Sequence, residues 1–276
     1  MKASYKKNIA KIIKYIILVL VSFIFVFPCI WIIMSSFSKT GSIYSLEGFF
    51  PQEYSLDSFI KLLTDTGLYN YPKWFMNTLI IATLSCILGT FLVILTAYTM
   101  SRIQFSWKKN LNKATIVLGM FPSFMGMIAV YMLMTQFKLI NKLSSLVLIY
   151  SASAPLGYLT QKGFFDTIPR EIDEAARIDG ATSFQIFKRI HLPLSKPIIV
   201  YTALTTFAWP WSDFILPKLL LKQKDLYTVA VGLMSLDETE FARFAAGSVI
   251  IAVPIVLLYF LLVKNMVKGL TAGAVK

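Results

Sequence analysis

The chain is 276 residues long, 57% of them hydrophobic and only 15% charged, with a formal net charge of +13. This excludes an ordinary soluble domain and sets the expectation of a membrane protein. Two cysteines and a single histidine suggest neither a disulfide framework nor a metal site.

The opening stretch, MKASYKKNIAKIIKY, leads into an apolar run from about Tyr15 to Met34. It has the outline of a secretory signal. The run is longer than a signal's core and no small-residue cleavage site follows, so it reads as a retained anchor and first span, residues 12–36. Charge-free windows follow: 28 residues between Lys73 and Arg102, 24 between Lys113 and Lys138, 19 between Lys142 and Lys162, and 20 between Arg243 and Lys264. A window of 21 between Lys196 and Lys218 holds one acid, Asp213. About 20 apolar residues cross a bilayer as a helix. Helix is required because lipid offers no partner to backbone groups. Spans are therefore predicted at 12–36, 75–101, 114–136, 143–162, 198–217 and 244–264. The fold class is an all-α integral membrane protein with six transmembrane helices.

After the first span, Leu56 to Leu63 reads as a short interfacial helix, while Tyr71 and Trp74 suit the membrane boundary. The fourth span is the least regular, being rich in Ser and interrupted by Pro155 and Gly157. Charge placement supports it. With six spans and an inner N-terminus, 18 Lys/Arg fall on the cytoplasmic side and 9 outside, in line with the positive-inside rule. The basic balance thus reflects topology, and no nucleic-acid partner is implied.

Between the fourth and fifth spans lies a polar segment, residues 163–197. Thr167 and Pro169 suit a helix start. Ile172, Ala175 and Ala176 share one face, and Asp179-Gly180 marks the helix end, since Gly takes the left-handed conformation without steric cost. Thr182 with Gln185 predicts a capping box for a second helix, with Phe184, Phe187 and Ile190 as its apolar stripe and Pro193 and Pro197 as its stop. Such a helix–turn–helix suits either insertion into a groove on another protein or an amphipathic hairpin on the lipid interface. His191 has no matching ligands near it in sequence, so a catalytic or metal role is disfavoured.

In the fifth span an acid at mid-bilayer costs roughly 2.5–3.5 kcal/mol on insertion scales. Asp213 therefore lies on a translocation path, finds a structural partner, or sits near the outer boundary within reach of Lys218. Trp209, Trp211 and Tyr201 on that span have rings able to stack on sugars, although packing explains span aromatics as well. The following loop, 218–243, is either solvated or in contact with a partner. The chain contains no GxxxxGK[ST] phosphate loop and no set of catalytic side chains, so an energy source must lie elsewhere.

Glu174-Ala175-Ala176, Asp179-Gly180-Ala181, Phe187, Ile190 and Leu192-Pro193 resemble the cytoplasmic EAA loop of binding-protein-dependent ABC importer permeases. Further matches are Trp74 with Asn77-Thr78, the stretch Gly163 to Pro169, Asp213 to Pro217, Tyr227 to Leu233, and the ending Gly269 to Lys276. The whole chain is similar to the maltose-type "G" partner of a sugar-importer permease pair. The resemblance implies a MetI-like permease fold with cytoplasmic EAA coupling helices, in a bacterial cytoplasmic membrane with both termini inside. It implies four kinds of partner: a second, F-type permease, an ATPase dimer that holds ATP and Mg, an extracytoplasmic sugar-binding protein, and an oligosaccharide substrate. No cofactor is implied in this chain.

By resemblance, Glu174 forms a charged contact to the ATPase, Ala175 and Ala176 let the helix sit deep in its cleft, and Asp179-Gly180 make the turn. Ile190, Leu192 and Pro193 anchor the loop to the following span, and Phe187 belongs to the same coupling set. Tyr227, Gly232, Asp237 and Glu238 would contact the binding protein, and within the cytoplasmic tail, 265–276, the stretch from Lys268 to Lys276 would reach the ATPase. The sugar contacts of maltose-type systems come mainly from the other permease, which leaves the path role of Trp209, Trp211 and Asp213 open. The expected function is import of malto-oligosaccharides. Galacto- or raffinose-type oligosaccharides or glycerol phosphate are alternatives, and an ATP-independent channel is a distant one.

Overall fold

The computed structural model describes residues 2–39, 50–67, 69–121 and 123–272. In chain order the helices are α1 (Lys2–Ser36), α2 (Asp57–Thr64), α3 (Tyr71–Arg102), α4 (Lys108–Gly119), α5 (Ser123–Gln136), α6 (Leu143–Ser153) and α7 (Leu159–Asp166). They continue as α8 (Arg170–Ile178), α9 (Ser183–Ile186), α10 (Leu192–Leu194), α11 (Lys196–Ser212), α12 (Ile215–Leu220), α13 (Val229–Leu233) and α14 (Phe241–Ala272). Among the described residues the only extended pairing is a single bridge, Ser38 to Tyr54. The all-α expectation holds.

Among the described residues, three helical stretches are by themselves long and apolar enough to cross a bilayer: Lys11–Ser36, Tyr71–Arg102 and Glu238–Lys264. A fourth would need α4 and α5 together, which bend by 106° between Gly119 and Phe124. The predicted fourth span divides into α6 and α7 at a 3₁₀ turn, Ala154–Gly157. Pro155 brings no backbone N–H to that turn and Gly157 adds little helix propensity. The predicted fifth span ends at Ser212, where Asp213 turns extended (φ −74°, ψ 119°) before α12 resumes. Its carboxylate accepts from the Leu216 N–H at 3.4 Å, so a polar side chain replaces the helix's own bond there.

The chain forms two compact units, one holding residues up to Tyr71 with Ser235–Ile250, the other Pro72–Met234 with residues from Ile251 onward. In the first unit the apolar window of α1 is left wholly unburied, with Phe25 73% exposed. An apolar face of that size is tolerated in lipid and not in water. Below it, Phe37 meets Phe59 at 5.2 Å, and Trp31 meets Phe241 at 5.5 Å. Arg243 pairs with Asp65 at 3.3 Å and with Glu240 at 2.9 Å. Tyr71 is buried, its hydroxyl donating to the Gly247 carbonyl at 2.9 Å, so its ring packs against protein.

In the second unit α3 is the long central element, and its first turns clamp the segment from Lys224 to Gly232. Trp74 Nε1–H donates to the Lys224 carbonyl at 2.8 Å. The Asn77 amide donates to the carbonyls of Asp225 (2.9 Å) and Tyr227 (3.0 Å), and Thr78 Oγ1 accepts from the Val229 N–H at 2.8 Å. The Trp74 ring lies where a side chain on Gly232 would be, with Cε3 2.0 Å from the place of a Cβ. Trp74 is thus buried in protein.

Gly232→Ala should destabilise the fold by about 1–3 kcal/mol through overpacking. Adding Trp74→Leu, which vacates the space, should recover part of that loss. Melting temperatures of the purified complex carrying each single variant and the double variant check this.

Candidate functional site

The polar segment forms the expected hairpin. Gly180 takes φ +81°, and the N–H groups of Gly180 and Ala181 return to the carbonyls of Arg177 (3.0 Å) and Ala176 (2.9 Å), closing α8. The Thr182–Gln185 capping box is complete, with the Thr182 N–H donating to Gln185 Oε1 at 2.7 Å and the Gln185 N–H to Thr182 Oγ1 at 3.3 Å. Two local expectations differ. Thr167 does not cap α8; its hydroxyl donates to the Phe164 carbonyl at 2.7 Å and so finishes α7. Nor does Pro193 stop the second helix. A π-helical turn, Phe187–His191, carries the chain into α10, whose first turn tolerates Pro193, and the break falls at Ser195.

The hairpin has a dry base and a bare tip. Glu174, Ala175, Arg177, Asp179 and Gly180 are exposed, Ile178 is 87% exposed and Phe184 69%. Ala176, Phe187, Ile190 and Leu192 are half-buried, while Pro193 is exposed. Phe184 therefore leaves the apolar stripe in which it was grouped. Phe187 remains at the base, 4.6 Å from the Tyr98 ring.

The other predicted site residues separate into buried and open groups. Trp209 is 61% exposed. Trp211 is buried, 5.0 Å from Phe75 and 5.9 Å from Phe207, and so stands away from any path. Asp213 accepts from the Tyr150 hydroxyl at 2.8 Å. Lys218, its expected neighbour, instead reaches the Tyr227 hydroxyl at 3.3 Å. Tyr227 and Gly232 are buried within the clamp and offer no open surface to a partner. Asp237 and Glu238 are exposed, Asp237 accepting from the Tyr69 hydroxyl at 3.1 Å. Within the tail expected to reach a partner, residues 273–276 lie outside the described residues.

Sequence reasoning missed the polar cluster beneath the hairpin. Arg102, the last residue of α3, has a side chain only 5% exposed. Its Nη1 meets Asp173 Oδ2 at 3.3 Å, and its Nη2 donates to the carbonyls of Ile168 (2.6 Å) and Phe165. The guanidinium thereby caps the end of α7 and pairs with α8 at once. His191 Nε2 donates to Asp173 Oδ1 at 2.6 Å, and its fully buried ring lies 5.1 Å from Tyr98. Beside it, Ser101 Oγ donates to Asp166 at 2.5 Å and Lys162 pairs with Asp166 at 2.6 Å. Burial raises the Asp166 pKa, but the bonds from Lys162 and Ser101 and the charges of Lys162 and Arg102 hold it below the usual carboxylate value. The available signal was weak: a charge closing the second apolar window, and an acid directly before Glu174.

Burial pushes the His191 pKa below its ordinary 6.5, with the Arg102 charge acting in the same direction and Asp173 only partly opposing. Its stabilising contribution is thus complete above pH 6.5 and is lost as pH falls from 6.5 through the lowered value. Relative to wild type, His191→Gln should show a flatter fall in melting temperature between pH 7.5 and pH 5, both set by roughly spanning that window. Arg102→Met, which strands a buried carboxylate, should cost about 3–5 kcal/mol. Thermal unfolding of the purified complex reads both.

Residues 89–271 match the family described as binding-protein-dependent transport system inner membrane component. The chain is 37% identical over 281 residues to the maltodextrin transport system permease protein MdxG of Bacillus subtilis (strain 168), covering 100% of both chains. It is 33% identical over 276 residues to the galactooligosaccharides transport system permease protein GanQ of the same organism, covering 98% of this chain and 97% of that one. In fold it resembles a chain in the crystal structure of a bacterial ABC transporter involved in the import of the acidic polysaccharide alginate. The TM-score is 0.78 at 19% identity, covering 94% of this chain and 97% of the other. The chain belongs to the family of binding-protein-dependent transport system inner membrane components, the permease subunits of ABC importers.

Proposed function

We propose that this chain is one membrane half of an ATP-driven, binding-protein-dependent importer of oligosaccharides, with malto-oligosaccharides as the first choice of substrate. The higher identity to the maltodextrin permease than to the galactooligosaccharide permease favours that choice. ATP and Mg are held by a separate ATPase dimer, a second permease completes the pathway, and an extracytoplasmic binding protein delivers the sugar. Segment 163–197 and both termini face the cytoplasm, the side that then collects 18 of the Lys/Arg residues.

One observation carries this reading: a hairpin outside the spans has an open tip and a base fastened to α3. Ile178 and Phe184 are large apolar groups left bare beside the exposed carboxylate of Glu174. Such a tip asks for a partner cleft with an apolar floor and a cation. Ala175 and Ala176 allow close approach there, and Asp179 and Gly180 form the turn that enters it. Phe187, Ile190, Leu192 and Pro193 sit toward the base. Since Arg102 ties α8 to the end of α3, displacement of the docked tip is passed to the bundle. The exposed residues Asp237 and Glu238 contact the binding protein.

The test is ATP hydrolysis by the complex reconstituted with its partner subunits and binding protein, with maltotriose or a galacto-oligosaccharide supplied. Glu174→Arg should cut sugar-stimulated hydrolysis by roughly tenfold or more, as expected for reversing one partner of an interfacial charge pair. Unchanged stimulation would return the hairpin to a lipid-interface role. Stimulation by the galacto-oligosaccharide alone would reverse the choice of substrate.

A further inference from the structure

Across α11 the exposed positions recur as Tyr201, Thr205, Trp209 and Ser212. They fall at i, i+4, i+8 and i+11, on one face about 16 Å long. The bare positions of α1 are mostly Ile, Leu, Val and Phe, with Tyr15 and Ser22 among them, and those of α14 include Val253, Val256, Leu257 and Phe260; on α11 the hydroxyl and aromatic groups make up the whole stripe from Tyr201 to Ser212. The stripe runs to the end of α11 at Ser212, and its hydroxyls are polar groups that hydrocarbon would leave without partners.

Beside Trp209 the stripe opens into a recess of about 350 Å³ lined by Ser85, Tyr150, Ser153, Ala154, Thr205 and Thr206. Among the described residues no charged side chain lines it. Three of its hydroxyls give their hydrogens to backbone carbonyls: Ser153 to Tyr150 (3.3 Å), Thr205 to Thr202 (3.0 Å) and Thr206 to Thr202 (2.7 Å). Their oxygens retain lone pairs as acceptors. Ser85 differs. It is 2% exposed, yet its hydroxyl has no hydrogen-bond partner among the described residues. The helix break at Ala154–Gly157 forms part of the wall, and irregular backbone at membrane depth is tolerated where it lines a polar cavity.

We propose that this recess and Trp209 form a subsite for one ring of a neutral oligosaccharide on its way through the membrane. The Trp209 face stacks on the C–H face of the ring, as aromatic surfaces do on apolar ones. The hydroxyl oxygens accept from sugar O–H groups, and Ser85 supplies the donor the protein itself leaves unused. With no charge in the lining, acidic glycans are disfavoured. This rests on the transport function proposed above, and it adds a sugar contact made by this chain itself. Trp211 and Asp213 take no part, since one is buried and the other serves Tyr150 and the start of α12.

The experiment uses proteoliposomes holding the whole complex, with labelled maltotriose as the probe. The readout is sugar accumulated per ATP hydrolysed. Trp209→Leu should lower that ratio roughly five- to tenfold, and Trp209→Phe, which keeps a stacking face, should restore most of it. Ser85→Ala should lower it about two- to fivefold, as loss of one hydrogen bond does. An unchanged ratio in Trp209→Leu and Ser85→Ala would overturn the subsite alone. A lower yield of the second permease with purified Trp209→Leu chain, with the ratio unchanged in the complexes that do assemble, would make the stripe a subunit seam and likewise overturn it. A wild-type complex that hydrolyses ATP but accumulates no maltotriose would remove both the substrate assignment and the subsite.

Discussion

A buried guanidinium is the joint on which the functional half of this protein depends. Arg102 ends a helix of 32 residues, about 48 Å long, and from that point it serves an anion and two backbone carbonyls. The desolvation of a cation is offset by paired, hydrogen-bonded contacts of this kind: Asp173 accepts from Nη1 and the carbonyls of Phe165 and Ile168 accept from Nη2, while the Nε–H has no partner among the described residues. This arrangement orients α8, because the Asp173 side chain can reach Arg102 only from one face of that helix. The opposite face, with Glu174 and Ile178, is turned out. Exposure at the tip follows from satisfaction at the base.

The same logic operates at the first turns of α3. Asn77 and Thr78 satisfy backbone groups of a segment that is not helical from Tyr227 to Thr228, and Trp74 fills the space left by Gly232. Polar residues near both ends of α3 thus meet the hydrogen-bonding needs of irregular chain that lipid cannot meet. Between those ends the helix joins α11 through smaller contacts, such as the hydroxyls of Thr90 and Thr206, 3.2 Å apart. A stiff rod fastened at its two ends and lightly bonded in the middle is suited to carry displacement along its length.

The divided helices have a related meaning. A span broken at Ala154–Gly157 or at Asp213 exposes carbonyls and N–H groups that an unbroken helix would bond internally. Here Tyr150, Asp213 and Ser153 take up some of these groups or one another. The breaks concentrate polarity around one recess, while α1 and the later turns of α14 remain apolar on their outer faces.

Much was legible in the amino-acid order, and the legible features are local. Apolar windows specified helices, Gly180 specified the turn, and Thr182 with Gln185 specified the cap, because each acts over three to six neighbouring residues. The motif around Glu174 identified the family for a similar reason: its spacing lies within one hairpin. Where spans break was only hinted at, since a single Pro in an apolar helix is compatible with either a kink or a turn. The partners of Arg102 and Trp74 were not legible. They lie 71 residues away at Asp173 and 150 away at Lys224, and periodicity carries no information about which distant residue a side chain will meet. The same holds for Trp209 and Trp211, chemically identical and two positions apart, one exposed and one buried. Sequence determined that both lie on a helix; only the packing of neighbouring helices decided which would face an open recess.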